Sequence, residues 1–251
     1  MDPAAPELSV VIPVYDEEGL VREACEDLMA RLDERGWDYE LLLAENGSRD
    51  RTLEILGRLS AGRPRLRFLH CDRPNYGLAL RRGILEARGR YVICDEIDLC
   101  DVSFYDRALP MLRQGLADMV VGSKRAPGSE DHRPAYRRLA TAAHNRLLRL
   151  ALGFQGTDTH GVKAFVRDRI APIASRCVVD RDVFASELVL RAGLEGRVVT
   201  EIPIALAERR PPSIALLKRV PSVLLKVAKL VWVLRVRGSA RARGEATPEP
   251  K

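Results

Sequence analysis

The chain has 251 residues, of which 46% are hydrophobic and 30% charged, so it can form one sizeable α/β domain or a domain with an appendage. Its five cysteines lack CxxC spacing, which argues against a zinc site and a disulfide framework and fits a reducing cytoplasm. Residues 1–15 lack the basic start and long apolar run of a signal peptide. We therefore expect a cytoplasmic protein.

The net charge of +6 is unevenly distributed along the chain. Residues 209–243 contain ten Lys or Arg and no Asp or Glu, which leaves the remainder at −4. A slightly acidic body with a basic end predicts a localised anionic partner, either a membrane surface or a nucleic acid.

Strand and helix patterns alternate along the first half of the chain. Apolar runs at 8–14, 39–44, 66–69, 91–94 and from 118 predict buried strands. Apolar residues at helical spacing predict helices over 17–34, 52–59 and about 103–114, and a glycine-containing loop and helix cover 73–87. This alternation predicts an α/β fold with a mostly parallel sheet flanked by helices.

Polar motifs follow the predicted strands, and ligands of such sheets bind at the carboxyl ends of strands. No GxGxxG or GxxxxGK[ST] motif occurs, so the common dinucleotide and phosphate-loop fingerprints are absent. Carboxylate and amide groups after the second strand can still hydrogen-bond a nucleotide base. The candidate nucleotide-binding residues at the first three strand ends are Pro13, Tyr15, Glu17, Glu45, Asn46, Ser48, Asn75 and Gly77.

The fourth strand ends in an acidic run. Asp95, Glu96, Asp98 and Asp101 follow the apolar residues 91–94. Clustered carboxylates repel one another unless a cation binds them, and Mg²⁺ prefers oxygen ligands that it shares with substrate phosphates. The alternative is a solvated acidic turn after a core strand.

Several motifs occur together in an order that resembles the family 2 glycosyltransferases, above all the polyprenyl-phosphate branch typified by dolichol-phosphate mannose synthase. The resemblance covers about residues 8–212 and implies a GT-A (Rossmann-like) domain over that range, preceded by an arm at 1–7. It also implies Mg²⁺ or Mn²⁺ and inverting transfer of a hexose from a nucleoside-diphosphate sugar to a polyprenyl phosphate. The motifs are VVIPVYDEE, ENGSRDRT, RPNYGLALRRGILEARGRYVICDEIDL, DMVVGSKR, HNRLLRLALG, TDTHGVKAF, ELVLRA and EIPIALAERR.

The resemblance assigns roles to particular residues. Asp98 and Glu96 are the expected metal ligands, with Asp95 beside them, and Asp98, Glu187 and Lys124 are the catalytic candidates. An acceptor phosphate is already ionised, so cations that hold it matter more than a strong general base. The acceptor-phosphate candidates are Arg125, Arg137, Arg138, His160, Arg209 and Arg210.

The chain departs from the family pattern at four places. Glu45-Asn46 stands where the family usually has two aspartates, and Glu96-Ile97-Asp98 stands for Asp-x-Asp. Cys100 occupies a frequent Gln position, while His160 and Val162 replace Ser and Phe. Two alternatives therefore stay open: transfer to a soluble or glycan hydroxyl with Glu187 or Asp182 as base, and a non-catalytic nucleotide-sugar-binding protein.

The basic segment 213–237 is apolar but interrupted by charges at Lys218, Arg219, Lys226 and Lys229, so it is too short of uncharged residues to span a bilayer. We expect it to lie in the membrane interface, or else to dock on the domain, and we expect disorder over 238–251. The predicted partners include a membrane surface and a partner membrane protein. No nucleic acid is expected, because the basic run lacks an aromatic stacking platform.

Overall fold

The computed structural model describes residues 5–131, 135–179, 183–206, 225 and 228–234. Seven strands form one sheet in the order β3-β2-β1-β4-β7-β5-β8, and two short strands, β6 and β9, pair separately. The strands are β1 (Leu8–Val14), β2 (Tyr39–Glu45), β3 (Leu66–His70), β4 (Tyr91–Cys94), β5 (Met119–Ser123), β6 (Glu130–Asp131), β7 (Lys163–Val166), β8 (Val199–Pro203) and β9 (Ala205–Leu206).

Helices connect these strands and cover both faces of the sheet. The predicted mostly parallel α/β architecture is confirmed. The helices are α1 (Val21–Asp33), α2 (Thr52–Ser60), α3 (Tyr76–Glu86), α4 (Val102–Arg113), α5 (Ala135–Leu152), α6 (Arg167–Arg176) and α7 (Phe184–Leu194).

The direction of β7 determines where the later loops lie. β3, β2, β1 and β4 run parallel, and β5 pairs in parallel with β8. β7 lies between β4 and β5 and is antiparallel to both. Its amino end therefore lies at the same edge as the carboxyl ends of β1, β2, β4 and β5. Residues 157–162, which precede β7, join the strand-end loops at that edge.

Two apolar cores form because successive strand residues point to opposite faces. In β1, Val10 and Ile12 pack in a core with α1, α2 and α4, whereas Val11 packs in the other with α3, α6 and α7. Gly83 lets α3 approach the sheet closely, because a Cβ there would lie 2.4 Å from Val11 Cγ1. The sheet thus has apolar runs rather than alternating polar residues.

Helix α1 begins later than the sequence pattern predicts, at Val21 rather than near residue 17. The backbone N–H of Glu17 donates to Thr52 Oγ1 (2.8 Å), and that of Glu18 donates to Asp50 Oδ2 (3.0 Å). These side-chain acceptors compete with the helix for the backbone donors. The acidic residues at the start of the motif therefore belong to a loop.

The described part of the C-terminal segment contacts the domain. Leu230 and Val233 are buried against it, with Leu230 in the core that contains α7, while Lys229 and Trp232 are exposed. Docking, the alternative to an interfacial position, is thus present in this short part. Arg209, Arg210, Lys218, Arg219 and Lys226 lie outside the described residues, and the boundaries at 213–237 and 238–251 stay predictions. Within the described ranges, no helix has both the length and the apolar character needed to cross a membrane.

Candidate active site

The loops after β1 and β2 are joined by side-chain hydrogen bonds. Asp16 has a positive φ of 52°, its N–H donates to Ser48 Oγ (3.0 Å), and its Oδ1 accepts from Arg49 N (2.7 Å). Ser48, which is predicted to bind the nucleotide, therefore also fixes the loop after β1 against the loop after β2. Two other candidates at this end of β1, Pro13 and Tyr15, are half-buried beside it.

Glu45 at the end of β2 is a buried acceptor rather than an open carboxylate. Its Oε1 accepts from Ser48 N, and its Oε2 lies 2.5 Å from His70 Nδ1. The other ring nitrogen of His70 lies 3.3 Å from Asp72 Oδ1. Glu45 thus links the loop after β2 to His70 at the end of β3.

Asn46 is oriented by its own oxygen. Asn46 Oδ1 accepts from Asn75 N (2.6 Å), and Asn75 Oδ1 in turn caps α3 by accepting from Leu78 N (3.1 Å). Within the described part of the chain, the amide nitrogen of Asn46 donates to no protein acceptor. A buried residue at the cleft therefore presents a hydrogen-bond donor, where a carboxylate would present only acceptors. Gly77 lies buried in the first turn of α3.

The acidic run after β4 separates into an inner and an outer part. Asp95 is buried, and its oxygens accept from Tyr105 Oη (2.6 Å), Asp101 N (3.0 Å) and Glu96 N (2.7 Å). Burial raises the pKa of Asp95 to about 7, although the Tyr105 hydrogen bond opposes that shift. Asp95 thus builds the turn that presents the next acids.

Glu96 is exposed and Asp98 is half-exposed, so these two carboxylates face outward from the turn. Asp101 accepts from Phe104 N and caps α4, and Cys100 is buried with a raised thiol pKa, which makes it a poor ligand for a hard ion. No group of three or more His, Cys, Asp or Glu among the described residues is arranged to hold a metal ion. The predicted trio is therefore reduced to Glu96 and Asp98, which fit a hard divalent ion that completes its shell with substrate oxygens.

The loop before β7 contributes a buried carboxylate, Asp158, to the same edge. Asp158 Oδ1 accepts from His160 N (2.9 Å), and Oδ2 accepts from Lys124 N (3.4 Å). Burial opposes ionisation, but the charge of Lys124 and the hydrogen bond from His160 outweigh it and hold the pKa of Asp158 below its ordinary value. Asp158 thus fixes the backbone at Lys124, a catalytic candidate, and at His160, an acceptor-phosphate candidate.

Glu201 on β8 holds this loop in place. Glu201 Oε1 accepts from Thr157 N (2.6 Å) and Asp158 N (3.1 Å), and Oε2 accepts from the Thr157 hydroxyl. Thr157 Oγ1 also lies 2.6 Å from Ser123 Oγ at the end of β5. These hydrogen bonds connect the edge strand β8, the loop before β7 and the end of β5.

The remaining predicted phosphate contacts are only partly described. Arg125 is exposed and donates to the backbone oxygen of exposed Arg138 (3.4 Å), and His160 is exposed at the same loop. The backbone of Arg137 lies in α5, but its side chain is not among those described. Arg209, Arg210 and Asp182 also lie outside the described residues.

Glu187 is fully buried in α7, and the protein itself uses its carboxylate. The oxygens accept from Val178 N (3.0 Å), Val179 N (2.7 Å) and Arg191 Nε (2.7 Å). This arrangement holds the chain between α6 and α7. It does not leave the carboxylate open to a substrate, so its predicted catalytic role receives no support from this geometry.

Sequence reasoning missed Asp158, Glu201 and Lys163, all of which belong to the site or support it. Lys163 had a detectable signal, because a lone charge interrupts the apolar run VKAFV. Asp158 and Glu201 had no such signal, since an acid in a polar loop or on an edge strand is ordinary. Only the sheet topology brings them together.

Comparison with known proteins identifies the family of the chain. Residues 9–171 match the family described as "Glycosyl transferase family 2". The glycosyltransferase AglD of Haloferax volcanii is 30% identical over 241 residues, covering 93% of this chain and 38% of that protein. A dolichol-phosphate mannosyltransferase of Pyrococcus furiosus is 30% identical over 152 residues, covering 58% of this chain and 41% of that one. The chain therefore spans less than half the length of either relative.

A solved structure matches over most of the fold. Glucosyl-3-phosphoglycerate synthase from Mycobacterium tuberculosis, in complex with Mn²⁺, UDP-glucose and phosphoglyceric acid, has a TM-score of 0.63 at 21% identity. The match covers 90% of this chain and 80% of that one. At this identity the likeness shows the fold alone, which is the predicted GT-A fold.

Proposed function

The chain belongs to glycosyltransferase family 2, and we propose that it transfers a hexose, with inversion, from a nucleoside-diphosphate sugar to a polyprenyl phosphate. One observation carries the proposal. A single sheet edge holds outward acids, Glu96 and Asp98, and a cationic loop ordered by buried Asp158. Acids that take a metal suit the donor diphosphate, and cations suit an anionic acceptor.

The donor half uses the loops after β1, β2 and β4. Glu96 and Asp98 would hold Mg²⁺ or Mn²⁺, and a bound ion of this kind stabilises the charge that develops on a diphosphate leaving group. Asn46 presents a donor to the nucleoside, and Asp95 keeps the acidic turn in place through Tyr105. These residues orient the donor and exclude other positions for it.

The acceptor half favours a phosphate over a hydroxyl. A hydroxyl acceptor requires a general base, whereas an ionised phosphate oxygen attacks directly. Glu187, the described candidate base, is committed to Val178, Val179 and Arg191. Lys124 and His160 are instead fixed next to the cleft by Asp158. The Pyrococcus furiosus relative, described as a dolichol-phosphate mannosyltransferase, supports the same class of acceptor.

A lipid acceptor requires access to a membrane surface, and the exposed side chains support peripheral association with its cytoplasmic face. Leu139 and Leu150 on α5 are 72% and 74% exposed, and Trp232 is exposed beside Lys229. Helix α5 contains Arg but no Asp or Glu, so its charge suits anionic headgroups. Arg149 on α5 donates to Gly156 O, which connects this helix to the loop before β7 (residues 156–162), called the acceptor loop below.

The test is a transfer assay with a panel of labelled nucleotide sugars, Mg²⁺ or Mn²⁺, and short polyprenyl phosphates in parallel with soluble glycan acceptors. We expect label in the lipid phase, with at least a hundredfold lower initial rate for Asp98→Ala. Glu54→Ala, an exposed acid on α2, is the matched control and should retain the full rate. Binding of nucleotide sugars without transfer to any acceptor would contradict the proposal and favour a non-catalytic protein.

A further inference from the structure

Lys163 is a buried cation to which the proposed reaction assigns no role. It is the first residue of β7, where it pairs with Cys94 on one side and Val121 on the other. The residue is only 3% exposed. Its Nζ donates to Gly161 O (2.7 Å), and this is the single hydrogen bond of the ammonium within the described part of the chain. Two of its three N–H groups therefore have no protein acceptor there.

In the part of the chain that the structure describes, Lys163 also forms no close ion pair. Among the described residues, no carboxylate oxygen lies within 4.0 Å of Lys163 Nζ. Burying an unpaired ammonium destabilises a folded protein, and burial lowers the pKa of Lys163 to about 8. A residue that only filled the core would be apolar at this position, as Ala164 and Phe165 are. The retained charge indicates an anion supplied from outside.

The surroundings identify the chemical class of that anion. Lys163 lies opposite Cys94, the residue immediately before the acidic turn, and its electrostatic neighbours include Asp158, Lys124 and Glu96. It thus lies between the acids proposed to hold the metal and the cations proposed to hold the acceptor. In a glycosyl transfer to phosphate, both sides of this boundary carry phosphate oxygens.

We propose that Lys163 is an anion-binding residue of the site and that its ammonium takes a phosphate oxygen at the boundary between donor and acceptor. The inference rests on the proposed function for the identity of the substrates. The oxygen comes either from the donor diphosphate or from the acceptor monophosphate, and both offer the same charge-assisted hydrogen bond. Lys163 would hold its substrate close to the reacting atoms without forming a covalent bond.

The experiment measures anion binding directly and does not require turnover. Inorganic pyrophosphate and inorganic phosphate are titrated separately, in EDTA, into the full chain and into Lys163→Met, with calorimetry as the readout. We expect Lys163→Met to bind one of the two anions about 10- to 100-fold more weakly. Loss confined to pyrophosphate places Lys163 on the donor side, and loss confined to phosphate places it on the acceptor side. Arg58→Met, which removes an exposed cation from α2, should leave both affinities unchanged.

Thermal unfolding separates this role from a structural one. Methionine matches the length of the buried lysine chain, so Lys163→Met should melt no lower than the wild type. Equal affinity of both proteins for both anions, or a wild type that binds neither anion, would overturn the proposal even if transfer activity were found. Lys163→Gln provides a second neutral variant should the methionine protein fail to fold. Anion binding without any transfer would instead contradict the proposed function and leave this inference standing.

Discussion

Glu201 offers a test of how the acceptor loop is held, because it lies on β8 and supports that loop through hydrogen bonds. Its carboxylate accepts from Thr157 N, Asp158 N and the Thr157 hydroxyl. Replacing Glu201 with Ala removes all three hydrogen bonds at once. The loop would lose the contact that orients Asp158, and Asp158 positions Lys124 and His160.

The expected magnitude follows from those contacts. A hydrogen bond to a charged group contributes about 1.5–3 kcal/mol, but Glu201 is only partly buried and water can replace part of the loss. We therefore expect Glu201→Ala to lower the free energy of unfolding by about 2–4 kcal/mol. For a protein of this size this corresponds to a melting temperature about 5–15 °C lower. Glu54→Ala, which breaks an exposed pair with Arg58, should cost no more than about 0.5 kcal/mol.

The kinetic part of the test distinguishes the two halves of the site. Initial rates are measured at a temperature well below both melting transitions, with donor and acceptor varied separately. We expect the acceptor KM to rise about tenfold or more while the donor KM changes little, because the hydrogen bonds described for the Glu201 carboxylate all go to Thr157 and Asp158. Equal increases in both KM values, or a normal acceptor KM in a destabilised protein, would refute the reasoning.

Three further predictions concern other parts of the site. Gly156→Ala should reproduce the Glu201→Ala phenotype, because a Cβ at Gly156 would lie 2.3 Å from Glu201 Oε1; melting curves and acceptor KM check this. Asp95→Asn should remove a contribution to the free energy of unfolding that changes by about 1.4 kcal/mol per pH unit, measured by urea unfolding from pH 4 to 7. The unfolded carboxyl releases its proton near pH 4 and the folded one near 7, so the contribution of Asp95 to the free energy of unfolding falls as pH rises through this window. Asn46→Asp should change the relative kcat/KM for different nucleoside diphosphate sugars at least tenfold, since an acceptor replaces a donor.

The first half of the fold could be predicted from its sequence, because each strand there is a short apolar run next to an amphipathic helix. β1 occupies residues 8–14 as predicted, and β2 and β3 each extend one residue beyond the predicted end. β7 and β8 could not be predicted in the same way. Lys163 interrupts the first, and Thr200 and Glu201 interrupt the second. Local pattern cannot show that a strand is antiparallel, because direction depends on where its neighbours lie.

The sequence predicts where the candidate site lies, but it does not predict which of its residues support the structure and which face a ligand. The acids after β4 are equivalent in sequence, yet Asp95 faces inward to Tyr105 while Glu96 faces solvent. Glu187 resembles a helix acid near a substrate, but its carboxylate accepts hydrogen bonds from the backbone N–H groups of Val178 and Val179. Burial and partner geometry decide these roles, and both come from residues far away in the chain.

The reversed strand explains why donor and acceptor groups meet in one cleft. Asp158 and Lys163 lie at the amino end of β7, and the acids that follow β4 lie at the carboxyl end of β4. Were β7 parallel to β4, its amino end would lie at the opposite edge of the sheet, several residues away at about 3.3 Å per residue. The antiparallel pairing of Cys94 with Lys163 places a cation directly beside the turn that carries Glu96 and Asp98. The sheet direction itself therefore brings opposite charges to the place where, in the proposed reaction, the acceptor phosphate and the donor diphosphate lie on opposite sides of the sugar carbon that is transferred.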